Sequence, residues 1–404
     1  MFKNPFKAKQ SEQIEDKQPN SLCIGTSLDD GIKQYINIPK AFGHTHISGQ
    51  LGSGAKSLSL NLAEEQIENG GGLVYLDIQG GTETLNRLYE KAKSENRIDD
   101  LLIIDIQHPE KSNTYNPLKN GNPAEITQKL TCFLEHVEMK SPQIPNDSEQ
   151  INQIYSIALE LEKLGETASF NAFHKHLTEE QSKNPSEMNK ELLEAFLAHY
   201  GACHQALNNI CFNAESDVDF VDVIKNKKIV YINLNAFSDK VSAKTLSQLI
   251  TLDLRACLEA VGGDFKLKAD QPFVFFSNDC LNLMDHFWAR LYAYANPSTF
   301  QMIHTNQEPL ESILNEEHNA FQYKELIIGN TEHRIYFKMA IDSPSNEIIS
   351  DSYGFLVQAT INTSTKEIKE HSKTRILPLE MLESLNVAEA LHFKTNALQA
   401  KIRI

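Results

Sequence analysis

Gly49, Gly52 and Gly54 lie close together, and Lys56 and Ser57 follow them. The stretch from Gly43 to Leu60 reads GHTHISGQLGSGAKSLSL: an apolar-alternating run, a loop of small residues, then a helical pattern on Leu58, Leu60 and Leu62. A loop of this kind can hold phosphate, because its backbone N–H groups converge and the helix that follows presents its N-terminus to the anion. The full phosphate-loop signature is G-x-x-x-x-G-K-[ST], with Lys on the β- and γ-phosphates and the hydroxyl on Mg²⁺. Here Ala55 follows Gly54, Lys56 comes next, and Ser57 is one residue late. Two registers are open. In one the glycines keep their places, Ala55 replaces the phosphate lysine and Lys56 replaces the Mg²⁺ hydroxyl. In the other Lys56 and Ser57 keep their roles and the loop carries an extra residue, which turns the first helical residues by roughly 100°. The candidate nucleotide-binding residues are Gly49, Gly52, Ser53, Gly54, Ala55, Lys56 and Ser57.

The elements around this loop follow from periodicity. LCIGTSLDDGIKQYINI has two apolar runs about Asp29-Asp30-Gly31 and predicts a hairpin. A helix is expected from Ser57 to Asn69, stopped by Gly70-Gly71-Gly72. LVYLDIQGG and LLIIDI are short buried strands ending near Asp77 and Asp105, with a helix over Glu83 to Glu95 between them. This alternation implies a parallel α/β sheet, whose ligands bind at the strand carboxyl ends. From Ala124 to Phe212 every periodic segment is helical. The sheet pattern then resumes with DVIKNKKIVYINLNA, QPFVFFSNDCLNL and FQMIHTNQ, and NTEHRIYF predicts an edge strand. The division is a polar tail over 1–20, an α/β unit over 21–118 and 218–362, an all-α insertion over 119–217, and a helical extension or tail over 363–404. In the last segment Leu379–Leu391 predicts an amphipathic helix.

Composition narrows the function. The chain has 404 residues and a net charge of -16. An acidic surface opposes a general nucleic-acid-binding role, which rests on Lys and Arg. None of the six cysteines forms a C-x-x-C pair, so reduced thiols and a cytoplasmic setting are expected. The His44/His46 and His174/His176 pairs lack a third ligand at metal spacing and are expected to be structural. No run approaches the roughly 20 apolar residues of a membrane span. The start, MFKNPFKAKQ, mixes Phe2 and Phe6 with lysines, so any membrane contact is expected to be peripheral.

In order along the chain, IGTSLDDG, GHTHISGQLGSGAKS, ENGGGLVYLDIQGG, DDLLIIDI, SNTYNPL, DVIKNKKIVYINLNA, PFVFFSNDCLNL, HTNQ and IIGNTEHRIYFKM resemble the cytoplasmic ATPase of the type IV secretion coupling-protein family. Its members are the TraD-like, TraG-like and DotL-like proteins. The resemblance runs from Gly25 to Gly354. It implies a RecA-like P-loop NTPase domain with a mainly parallel central sheet and an inserted all-α domain that helps select substrates. It also implies a hexameric assembly, ATP and Mg²⁺ as cofactors, and secretion-complex subunits or effector proteins as partners, at the inner membrane.

The departures from that family fall at one place. The family's loop lysine falls on Ala55, and its Walker B Asp-Glu pair on Asn278 and Asp279. The Lys and the acidic residue of its D-x-K-G-D run fall on Gln79 and Gly81. Its Thr-Gln sensor is stretched to Thr305-Asn306-Gln307. The resemblance places Asp279 and Gln307 as the catalytic pair, and Ser57 and Asn278 as the Mg²⁺ ligands. Losing the loop lysine removes charge stabilisation that phosphoryl transfer needs. Asn278 removes an anionic oxygen from the Mg²⁺ shell. Asp279 shortens the base by a methylene, and catalysis tolerates little misplacement. The expectation is a coupling-protein paralogue that turns ATP over weakly or not at all, working beside an active motor. The alternative is an active Mg-ATPase that uses Lys56, Ser57 and Asp279 in the shifted register. Arg334 is a further candidate, as an arginine finger or as an edge-strand charge.

Overall fold

The computed structural model describes residues 19–134, 148–203, 205–212, 215–237, 239–264, 272–279, 286–309, 326–340, 343–353, 355–361, 368–395 and 397–404. All but the last two residues of the polar tail expected over 1–20 lie outside these residues.

The centre is an 11-stranded sheet. Its strands in chain order are β1 (Ser21–Ser27), β2 (Lys33–Asn37), β3 (His44–Ser48), β4 (Leu73–Asp77), β5 (Leu101–Asp105), β6 (Ile229–Asn233), β7 (Phe273–Asn278), β8 (Phe300–Asn306) and β9 (Thr331–Phe337), with β12 (Glu389–Lys394) and β13 (Ala397–Arg403) completing it. In space they run β2-β1-β13-β12-β9-β3-β8-β7-β4-β6-β5. From β9 to β5 every pairing is parallel, and the four strands beyond β9 are antiparallel. β10 (Phe355–Ile361) and β11 (Ile368–Arg375) form a separate two-stranded sheet. LVYLD, IVYIN and FVFFSN are buried throughout and apolar up to their polar carboxyl ends, because both of their faces are covered.

On one face lie α1 (Ala55–Glu68) and α2 (Thr82–Ser94), packing Leu58, Leu62 and Leu88 against Ile47, Tyr75 and Phe276. The other face is covered by α8 (Phe220–Lys225), α9 (Lys240–Asp264) and α10 (His286–Tyr294). Between β5 and β6 the described residues form the helices α3 (Pro123–Leu134), α4 (Ser148–Leu164), α5 (Phe170–Lys183), α6 (Glu187–Ala202) and α7 (Gln205–Cys211), ahead of α8. Phe133 anchors this insertion among Phe170, Phe196, His199 and Phe212. Its core is continuous with that of the sheet. A buried charge network fastens α3 to α9: Lys129 Nζ donates to Asp253 Oδ1 (2.7 Å) and to Asn120 O (2.7 Å), and Tyr115 OH donates to Asp253 Oδ2 (2.9 Å).

Two expectations are corrected. The segment after residue 363 is not a helical extension: among its described residues only α12 (Leu379–Glu383) is helical, while β11, β12 and β13 are strands. (α11, Pro344–Ser352, precedes β10.) The apolar pattern over Leu379–Leu391 misleads because β12 is buried on both faces. Leu391 and Phe393 pack with Tyr336, and Ala390 packs with Phe337 and Ile402. The helix ends before Ala388, which has φ 65°. Nor is β9 an edge strand. It lies between β3 and β12, and all seven of its residues are buried.

Candidate functional site

The parallel register aligns the carboxyl ends of β3, β8, β7 and β4 at one edge: Ser48 beside Asn306, Thr305 beside Asn278, Asn278 beside Asp77. The glycine loop leaves β3 there. Gly49 has no room for a side chain, since a Cβ would meet Ser53 Oγ and lie 2.6 Å from Phe337 Cβ. Its N–H donates to Asn306 O (3.0 Å), and Gln50 N–H donates to Lys338 O (3.1 Å). Gly52 (φ 79°) and Gly54 (φ 113°) take left-handed conformations that favour glycine. Gly54 is the N-cap of α1, so Ala55, Lys56 and Ser57 are its first three residues. Their N–H groups are those that a helix start leaves without an intrahelical acceptor, and the positive end of the helix dipole lies with them.

Ala55 is buried, Lys56 half-buried and Ser57 exposed. Lys56 Nζ lies 3.6 Å from Asp77 Oδ2. Asp77 is fully buried; its Oδ1 accepts from Gln79 N–H (3.2 Å) and Asn278 Nδ2 (3.3 Å), while Oδ2 has no hydrogen-bond donor. Asp279 follows β7 with φ 57°. Its Oδ2 accepts from Gln79 Nε2 and from Gln307 Nε2 (3.3 Å). Burial raises the Asp279 carboxyl pKa, opposed by the Gln307 hydrogen bond and the Lys56 charge. Thr305 Oγ1 is buried without a hydrogen-bond partner.

Lys56, Gln79, Asn278, Asp279, Thr305 and Gln307 line one cavity of about 220 Å³. Of the sequence candidates, Gly49, Gly52, Gly54, Ala55, Lys56, Ser57, Asn278, Asp279 and Gln307 all lie on its wall. Ser53 does not; its hydroxyl is buried under the loop. The remaining wall was not foreseen. Val387, Ala388 and Ile404 close one side, Ala388 N–H donates to Ser53 O (2.8 Å), and Ile404 N–H donates to Ala388 O (3.1 Å). A roomier groove of about 420 Å³ runs along α1 and α2, but the Arg87–Glu64 and Lys91–Glu68 ion pairs fill its charged lining.

Other candidates lie elsewhere. Asp105 ends β5, two strands beyond Asp77, and holds Gln107 N–H (2.8 Å) and Asn233 Nδ2 (2.9 Å). Arg334 is buried inside the sheet, where Nη2 donates to Ile328 O (3.5 Å), so it does not project as a finger. His44 and His46 are buried beneath the loop, and His46 Nε2 accepts from Asn306 Nδ2 (3.0 Å). His174 stacks on Phe196, and His176 meets Glu166 (3.0 Å). Among the described residues no group of three or more His, Cys, Asp or Glu side chains could hold a metal ion. No helix among them is long and apolar enough to cross a membrane.

The structure known as the bacterial conjugative coupling protein TrwB, lacking its first segment, superposes with a TM-score of 0.64 at 12% identity, over 97% of this chain and 89% of that one. The fold is the RecA-like fold of TrwB. VirB4 of Thermoanaerobacter pseudethanolicus matches with a TM-score of 0.61 at 12% identity, over 96% of this chain and 97% of the other. TrwB is also known in complex with ADP and Mg²⁺. By sequence, the chain is 32% identical over 101 residues to the type 4 coupling protein DotL of Legionella pneumophila, a match taking in 22% of this chain and 13% of DotL. No family model matches.

Proposed function

We propose that this chain is a subunit of a type IV secretion coupling complex that keeps the phosphate loop of a motor ATPase and has lost turnover. The observation that carries this reading is the pairing of Lys56 with Asp77. Ala55, buried at the first helical position, stands where the signature has the lysine aimed at the phosphates, and phosphoryl transfer depends on such charge. The intact glycine geometry from Gly49 to Gly54 favours the register in which Ala55 replaces the lysine.

The donor set does not fit Mg²⁺. Mg²⁺ takes hard, anionic oxygens at near-octahedral positions. Asn278 is neutral and donates to Asp77, and Asp77 faces Lys56. Glutamine amides bind Asp279 Oδ2. The TrwB complex with ADP and Mg²⁺ supports nucleotide phosphate as the ligand class for the loop. Leu51 and Val387, apolar and mostly exposed at the cavity mouth, support cover by a neighbouring protein subunit, an active paralogous ATPase by this reading. The acidic net charge supports protein cargo over nucleic acid.

Steady-state phosphate release from purified protein with Mg-ATP tests the claim. No release above the Lys56→Ala background is expected. Turnover at a motor's rate, roughly 1 s⁻¹ or more, abolished by that substitution, would overturn it in favour of the shifted register. Lys56, Ser57 and Asp279 do share the cavity wall, which is what the second reading requires.

A further inference from the structure

We propose that Lys56 is a built-in counterion, an ammonium tethered at the position where the phosphate-loop signature has its Mg²⁺-binding hydroxyl, so that the loop takes a metal-free diphosphate group. This rests on the phosphate-loop reading above and adds the form of the ligand. Three observations carry it. Lys56 is the second residue of α1 and its Nζ sits 3.6 Å from Asp77 Oδ2. That oxygen is fully buried and has no hydrogen-bond donor, so the ammonium is its charge partner. Lys56 is nevertheless half-open to the cavity, with 34% of its side chain exposed.

An ammonium has three N–H donors. One directed at Asp77 leaves two for phosphate oxygens, so the side chain can bridge carboxylate and ligand without leaving either. An ammonium brings half the charge of a divalent metal ion. The substitution has a consequence for the ligand. One positive charge, the helix N-terminus and the loop amides offset a short anion better than a long one. Thr305 Oγ1, buried in the cavity wall with no hydrogen-bond partner, is a neutral donor for a further phosphate oxygen. The cavity volume of about 220 Å³ is below the roughly 300–1,000 Å³ of sites that enclose whole drug-sized ligands. It holds a diphosphate and leaves a nucleoside outside.

The test is equilibrium binding of a fluorescent ADP analogue to the full chain, in excess EDTA and in excess Mg²⁺, with inorganic pyrophosphate as competitor. The expected result is equal or tighter binding in EDTA, displaced by pyrophosphate. Lys56→Met should weaken it about tenfold or more in both buffers, while Lys56→Arg, which keeps the charge, should retain it. Lys56 is only half-buried, so both variants should fold. A tenfold gain on adding Mg²⁺, or wild-type affinity in Lys56→Met, would overturn the inference while leaving the phosphate loop standing. No binding in either buffer would overturn both.

Discussion

Acid should unfold this protein in a window set by histidines. His44, His46 and His333 are buried in the central sheet, and burial lowers their pKa values to about 4, about 3 and about 3. Burial also holds His304 and His392 well below the ordinary histidine value. Each is held neutral: Met302 N–H donates to His44 Nδ1, and His333 Nδ1 meets His392 Nε2 at 3.0 Å. The unfolded chain protonates a histidine near pH 6.5, so below that pH it binds more protons than the folded one, and stability falls as pH falls. At pH 5 each of the three sites costs about 2 kcal/mol, or about 6 kcal/mol together. A domain is held by roughly 5–15 kcal/mol in all. Carboxylates with lowered pKa values, such as Glu389 at about 2, lose their contribution only below that window. Asp253 and Asp279, raised by burial, act in the opposite direction. Urea unfolding at pH 7, 6 and 5 measures the effect. A midpoint that does not move between pH 7 and 5 would refute the reasoning. His46→Gln should flatten the pH dependence.

Three further outcomes follow from packing. Lys129→Met leaves the Asp253 carboxylate buried without its cation and should cost about 3–5 kcal/mol in urea unfolding; the double variant with Asp253→Leu should recover much of that. Gly49→Ala forces a Cβ against Ser53 and Phe337 and should cost about 1–3 kcal/mol, with phosphate binding lost in the same titration. Ala388→Gly relieves a left-handed alanine and should raise the melting temperature, by about 1 kcal/mol of stability or less.

The sequence was most readable where local pattern and global burial agree. LVYLD, LLIID, IVYIN and FVFFS are apolar runs of strand length between helices, and each became a parallel strand. The loop glycines announced themselves because a left-handed turn restricts residue choice. The failures share a cause, which is contact across long sequence separation. Nothing near Asp77 indicates that Lys56 will reach it; a strand-end aspartate is common in turns. The partnership exists because β4 and β3 end at the same sheet edge. Gln79 beside Asp279 is a contact of the same kind. β12 resembled a helix because residues buried on both faces lose the alternation that marks a strand. Arg334 read as an edge charge only while β12 and β13 were unaccounted for.

The strands that close the loop's side wall have a consequence for how the molecule is assembled. β1 pairs with β2 and with β13, and β12 pairs with β9. The outer half of the sheet is thus knitted from segments far apart in the sequence. Closing contacts over such separations costs chain entropy and slows folding. The glycine loop borrows its order from this long-range seam through Ala388 and Ile404. Until residues 387–404 join the sheet, β3 and α1 frame a loop that lacks this side wall. The anion cradle is complete only with that seam in place.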